Sequence, residues 1–376
     1  MKSHSEIKMW TPSTIVFILL IALGGLVILY RLVAGLGAAT NLNDRFPWGL
    51  WIGIDVLGGV AMAAGGFLIA GAVYILNWKK YKPIVRPAIL NAFFGYALAA
   101  TAISFDIGLP WRIWHPVVMW QIGSVMWVVA IHVVLYTTTL ATESSPMIFE
   151  KFKMQGALKA VEKIMVPIVL FGILLSVLHQ SSLGALYLLT PGKLSALWYN
   201  TSLPTLFLVS AVMMGLSMVS LESIISGKAF GHVPNRDILT GLARGVMISA
   251  VIYLLLKIYF LATGPGIGAA FAGTREANMY LLEMAVSVIV PLVLLLMKRI
   301  QDDNQILLVN ILVIAGVLIN RLNVSIFGVY HDQAATGLSY FPSWMEFVVT
   351  LAFVSVAIVG FKVSVMYFRV FPETKA

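Results

Sequence analysis

Residues 55–74 read DVLGGVAMAAGGFLIAGAVY, a run whose single charge, Asp55, stands at its start. A helix of that length rises about 30 Å, the thickness of a bilayer's hydrocarbon core. Gly58, Gly59, Gly65 and Gly66 recur at a seven-residue interval with alanines between them. Small residues at such spacing let helix backbones approach closely in lipid. The stretch reads as a membrane-spanning helix surrounded by other helices, its glycines serving packing and not chemistry.

The rest of the chain repeats this pattern. Of 376 residues, 60% are hydrophobic and 11% charged, whereas soluble domains carry about a quarter charged residues. Mean hydropathy is +0.93. Apolar stretches between punctuators predict spans at 13–36, 48–77, 88–106, 117–141, 164–189, 205–226, 238–262, 277–298, 305–327 and 344–368. Pro- and Gly-bearing joints such as GLPWR, TPGK, TGPGIG and YFPSW separate them. The expected fold class is an all-α integral membrane protein with about ten transmembrane helices. It forms a single polytopic domain over 1–376, helices 1–5 lying within 13–189 and helices 6–10 within 205–368.

Sixteen lysines and arginines fall on one set of connections and the two termini, and four (Arg45, Arg112, Lys193 and Arg275) on the other. Positive residues collect on the cytoplasmic side, so both termini are expected there, in the inner membrane of a prokaryote. The net charge of +9 is thereby read as orientation in a lipid membrane, with no nucleic-acid partner. The N-terminal MKSHSEIKMW precedes a long apolar run without a small-residue cleavage site, and predicts a retained first helix. The opposite connections are rich in Trp and Tyr (WRIWHP, LWYNTSLP, VYHDQAATGLSYFPSW), which suits an interfacial belt or a docking surface. There is no cysteine, which excludes disulfides, thiolate-bound iron–sulfur clusters, covalent C-x-x-C-H haem and thiol catalysis. Redox work would have to use non-covalent cofactors or a partner chain.

Ionisable side chains inside spans are costly and mark function by default. Asp55 lies about 10 Å below the outer end of helix 2, Asp106 at the outer end of helix 3, and Gln121 one turn into helix 4. His179 and Gln180, in LLSVLHQSSLGALYLL, lie about 15 Å below the outer end of helix 5. A quinone headgroup needs hydrogen-bonding groups across its ring, an apolar channel for its tail and proton carriers, and histidine exchanges protons near neutrality. Asp55, Asp106, Gln121, His179 and Gln180 are the candidates for such a pocket. His132, about 22 Å below the same end of helix 4, Glu143 and Glu222 are candidates for a proton path. The plainer readings stand beside these: an interhelical His179–Gln180 bond, Asp55 paired with Arg31, Asp106 balancing Arg112. Glu222, Arg244, Lys257, Glu283 and Arg321 would pair structurally across helices 6 to 9. Bis-histidine haem b needs two histidines at one depth. His4, His115, His232 and His331 fall near the faces, and His132 and His179 at different depths, which disfavours haem.

The chain resembles the NrfD/polysulfide-reductase membrane subunit family, in particular its ten-helix, HybB-type branch found with nickel–iron hydrogenases. The resemblance rests on FPWGLWIGIDVLGGVAMAAGGF, RPAILNAFFGYALAATAISFDIGLPWRIWH, LHQSSLGALY and YFPSWMEF. It implies two four-helix bundles, helices 2–5 and 6–9, flanked by helices 1 and 10. It also implies a haem-free, quinone-interacting subunit that exchanges electrons and protons with the menaquinone or ubiquinone pool. An extrinsic, ferredoxin-like iron–sulfur subunit would dock on the outer face, with a hydrogenase, a molybdoenzyme or a multihaem cytochrome c beyond it. Hydrogenase-linked relatives often carry a carboxylate near the start of helix 4, where this chain has MWQIGSVMWVVAIHVV. Two other classes remain open: a proton- or ion-coupled transporter, which should show interrupted helices at the bilayer midplane, and a structural anchor for a redox partner.

Overall fold

A computed structural model describes residues 7–46, 48–231, 235–297, 303–329 and 339–371. His4, His232 and His331, considered above for haem, lie outside the described residues, as does most of the VYHDQAATGLSYFPSW connection. Among the described residues, ten helices are long and apolar enough to cross a membrane: α1 Pro12–Ala34, α2 Trp51–Tyr74, α3 Lys79–Asp106, α4 Val125–Lys151, α5 Gln155–Leu189, α6 Leu203–Phe230, α7 Arg236–Thr263, α8 Arg275–Met297, α9 Asp303–Phe327 and α10 Trp344–Tyr367. With an even number of crossings, residues 7 and 371 share one face, the termini face.

Local chemistry fixes several ends. Thr11 caps α1 by accepting from Thr14 N, with Pro12 at the first helical position, where no N–H is needed. Ser124 caps α4 through Trp127 N, and Ser343 with Glu346 forms a capping box on α10. Three expected boundaries are corrected. Helix α3 begins before residue 88, because Pro83 and Pro87 sit in its opening turns and the lysines around them line a helix end. Helix α4 runs from Val125 to Lys151 and not over 117–141, since Gly123 and the Ser124 cap start the helix later. Helix α5 starts at Gln155, a charged amphipathic opening that hydropathy alone passes over.

Helix α2 is the centre of the molecule, with 72% of its apolar window buried against 17% for α1. Its glycine pairs face different neighbours. A Cβ on Gly58 would strike Leu318 of α9, and one on Gly65 would strike Val219 and the Gly215 carbonyl of α6. Gly66 instead meets Ala92, and Gly59 faces the Gly95 carbonyl, both of α3. Contacts run from α2 to α3, α4, α5 and back to α2, and separately through α6, α7, α8 and α9 back to α6. Helices α2 and α5 both lean on α6, while α1 pairs with α10 at the side of α3. Wide π-turns occupy Trp51–Val56 of α2, Ala285–Ile289 of α8 and Asn323–Phe327 of α9. Such turns gather at functional sites, and each lies beside a buried polar residue: Asp55, Glu283 and Asn323.

Candidate functional site

Away from the termini face, the ends of α2–α5 splay around a cleft of about 970 Å³. Its walls are Ile52, Val56 and Leu57 of α2, Ile103 of α3, Val129 and Ala130 of α4, and Leu183 and Leu186 of α5. The α1–α2 connection contributes Asn43, Asp44 and Trp48, and the α3–α4 connection adds Arg112, His115 and Gln121. A mainly apolar concavity with a few polar groups is the usual character of a small-molecule site.

Asp106 is the acid that α3 brings to this cleft, and its position follows from how α3 ends. Helix ends leave carbonyls unpaired. Arg31 of α1 takes two of them, donating from Nε to Phe105 O at 2.7 Å and from Nη2 to Ile107 O at 2.5 Å. A cation there also complements the negative end of the helix dipole. Asp106 is thus held between two fixed carbonyls, and its buried Oδ1 has no hydrogen-bond partner. Gln121 also lines the cleft, but from the exposed segment before α4 and not from one turn inside the helix.

The other expected residues sit elsewhere. Asp55 faces α10, where Thr350 Oγ1 donates to its Oδ2 at 2.7 Å; the alternative pairing with Arg31 is not present. His179 and Gln180 do not line the cleft. They lie within the ring of α2–α5, His179 one turn below Leu183. Gln180 Nε2 donates to Val60 O of α2 at 2.9 Å. His179 is fully buried with neither ring nitrogen partnered, its ring 5.4 Å from that of Tyr96 and 6.1 Å from that of His132.

That last distance corrects the expected difference in depth between the histidines. Because α4 starts at Val125, His132 lies about 10 Å along it and not about 22 Å. The depth argument against haem falls.

From the histidine pair, buried polar groups continue toward the termini face. Tyr96 and Tyr136 meet edge to face at 4.5 Å, with Ser176 beside both. Glu143 follows two turns further along α4, and Gly172 of α5 leaves the room its carboxylate occupies. Both phenol oxygens, Ser176 Oγ, His132 Nδ1 and Glu143 Oε2 are buried without partners. Buried polar groups in native proteins are hydrogen-bonded to protein or to water, so this file is a place for water. Glu222 does not belong to it, since it projects from α6 in the other half. Nor does it pair with Arg244, which is exposed. Of the expected charge pairs in α6–α9, Lys257 and Glu283 do meet, at 2.7 Å.

Sequence reading offers no signal for Asn43 and Asp44. Arg112 and His115 enter it only as a counter-charge to Asp106 and as a histidine near a face, and the fold brings both to the cleft wall.

The sequence matches the family described as Polysulphide reductase, NrfD, over residues 38–331. The chain is 31% identical to a probable Ni/Fe-hydrogenase 2 b-type cytochrome subunit of Escherichia coli, covering 98% of this chain and 94% of that one. It is 33% identical to a protein of Nitratidesulfovibrio vulgaris, over 97% of each chain. A menaquinone reductase integral membrane subunit from the same organism is 28% identical, over 99% of this chain and 93% of its own.

Proposed function

The chain belongs to the NrfD polysulphide reductase family, and on that footing we propose that it is the quinone-interacting membrane subunit of a respiratory redox complex. The observation that carries this is the cleft: an apolar space holding the half-buried carboxyl of Asp106, whose Oδ1 is buried without a partner, framed by carbonyls that Arg31 fixes. A menaquinone or ubiquinone ring fits these groups, with its tail along the aliphatic walls. Bound there, the quinone would supply two-electron, two-proton chemistry. Asp106 hydrogen-bonds a headgroup oxygen and holds a proton at its Oδ1. Gln121 offers its amide at the mouth. Asp55, tied to Thr350, supports the wall from behind.

Protons move between the cleft and the termini face along His132, His179, Tyr96, Tyr136, Ser176 and Glu143. The positive-inside asymmetry supports a cytoplasmic termini face, in a prokaryotic inner membrane. The cleft then opens toward the outer side, where an extrinsic iron–sulfur subunit would dock within electron-tunnelling reach. A hydrogenase, a molybdoenzyme or a multihaem cytochrome c would lie beyond it; the name of one relative, a Ni/Fe-hydrogenase subunit, supports the first.

The test is a fluorescence-quench titration of a naphthoquinol analogue into the purified complex. Asp106→Asn should weaken saturable binding about tenfold, the equivalent of about 1.4 kcal/mol, while the fold stays intact. Unchanged binding by Asp106→Asn would place the site elsewhere. No binding by the wild type would leave the anchor and transporter readings ahead.

A further inference from the structure

Helix α7 turns a stripe of apolar side chains outward. Ile248, Val251, Ile252, Leu255 and Ile258 are all exposed, at the spacing of a single helix face, and in a spanning helix that face meets lipid. Followed back toward the start of α7, the stripe reaches Arg244, four residues before Ile248 and also exposed. A cation on a lipid-facing surface is costly unless its head reaches the interface or a partner. Among the described residues the ion pairs join Arg86 to Glu150, Arg236 to Asp303 and Lys257 to Glu283, and Arg244 is in none of them.

The turn before Arg244 meets a second cation. Gly241 stands three residues earlier on the same face, and a Cβ there would lie 2.3 Å from Tyr81 Oη and 2.8 Å from Lys80 Nζ. The opening turn of α3 therefore lays an ammonium and a phenol hydroxyl across bare backbone of α7. Helical side chains lean toward the N-terminus of their own helix, which carries the Arg244 head over that same turn. Lys80 is exposed, its ammonium 5.1 Å from the Tyr81 ring centroid, and it too has no ion pair. Asp237, the acid on this face seven residues before Arg244, pairs with neither cation. Two cations thus share a hollow with no acid bound to either. Trp78, exposed and 6.1 Å from the Tyr81 ring, flanks the hollow, and tryptophan settles at membrane–water boundaries. The hollow lies where lipid phosphates lie, on the termini face.

We propose that this hollow is a binding site for an anionic phospholipid of the termini-face leaflet. The phosphate diester accepts from Lys80 Nζ, the Arg244 guanidinium and the Tyr81 hydroxyl, and one acyl chain follows the apolar stripe from Ile248 to Ile258. Gly241 leaves the floor of the hollow open. The occupant is a lipid and not a free phosphate ion, because the donors open onto a lipid-facing stripe that an inorganic ion would leave uncovered. Basic pockets between membrane helices hold such headgroups. The lipid also bridges the two helix rings. Lys80 and Tyr81 belong to the α2–α5 ring and Arg244 to the α6–α9 ring, at a place where α3 and α7 otherwise barely meet. The site is independent of the cleft, which opens at the other end of the helices.

The experiment is native mass spectrometry of the purified, delipidated complex, titrated with dioleoyl-phosphatidylglycerol or with zwitterionic dioleoyl-phosphatidylcholine. The wild type should hold the first lipid in preference to the second. Lys80→Gln with Arg244→Gln should weaken phosphatidylglycerol binding about thirtyfold, the sum of two cations at about 1 kcal/mol each. Neither side chain has a protein ion pair to lose, and Arg244→Gln alone, at about fivefold, serves where the double variant assembles poorly. Lys159→Gln with Lys163→Gln removes the same charge from exposed positions on α5 and should stay within about twofold of wild type. Equal losses from the two double variants would mean diffuse attraction to a basic face, and would overturn the proposal. Unchanged binding by the Lys80 and Arg244 variants overturns it too, as does a wild type that holds both lipids alike. Displacement of the lipid by excess inorganic phosphate would assign the hollow to a free anion instead. None of these outcomes bears on the quinone cleft.

Discussion

Gly215 of α6 crosses Gly65 of α2 so closely that a Cβ at residue 215 would sit 2.4 Å from Gly65 N and 2.7 Å from Ala64 C. Ordinary contact begins near 3.4 Å, so Gly215→Ala must open the crossing by about 1 Å (3.4 less 2.4). Both obstacles are backbone and cannot rotate away. Overpacking costs about 1–3 kcal/mol, and rigid obstacles place this case at the upper end. Alanine returns roughly 0.5–1 kcal/mol of helix preference over glycine, leaving a net loss of about 2 kcal/mol. Gly59→Ala is the control, because its nearest obstacle, Gly95 O, is 3.7 Å away, and it should be neutral or slightly stabilising. Denaturant unfolding in mixed micelles, followed by tryptophan fluorescence, measures both. Equal stability of Gly215→Ala and wild type, or equal damage from both substitutions, would refute the geometry of the α2–α6 crossing.

Three further outcomes follow from the buried polar groups. Lys257→Met strands the Glu283 carboxylate and should cost about 3–5 kcal/mol, most of it recovered by adding Glu283→Gln; purified yield and unfolding midpoints report it. Arg31→Leu removes two charge-assisted bonds to carbonyls and should cost about 3 kcal/mol, with faster hydrogen exchange over residues 107–121 than elsewhere. Thr350→Val keeps the shape but takes the donor from Asp55, an expected loss of about 1–2 kcal/mol that Asp55→Leu in the same chain should relieve; no relief would mean that the bond does not form.

The spans were legible because each helix must satisfy its backbone internally and cover itself in apolar side chains. The glycine spacing of α2 also told truly of packing, though not that its two pairs grip different helices. What escaped were ends and facings. Charge makes Lys79 to Arg86 look like a loop, and hydrophobicity makes 117–122 look like part of the fourth span, yet His115–Val118 is a separate short helix and Gly123 and Ser124 decide where α4 begins. That eight-residue error carried straight into depth, which is why His132 and His179 were set apart when their rings are neighbours. The place of Asp106 at a span end is legible in the sequence, and the helix does end there. That Asp55 turns to Thr350, and that Trp198 reaches Glu283, depend on contacts across 295 and 85 residues, which no local pattern encodes.

Those long separations also bear on how the protein is made. Helix α2 leaves the ribosome with Asp55 unsatisfied and with no acceptor for the Trp51 indole, and both wait for α10, whose Thr350 and Glu346 arrive nearly a whole chain later. The last helix therefore acts as a latch on the second. Until it arrives, a carboxyl in lipid is a mark that quality-control proteases can read. A chain truncated before Ser343 should insert its first nine helices yet be cleared much faster than the full chain in a pulse-chase, and Asp55→Leu should lengthen its survival.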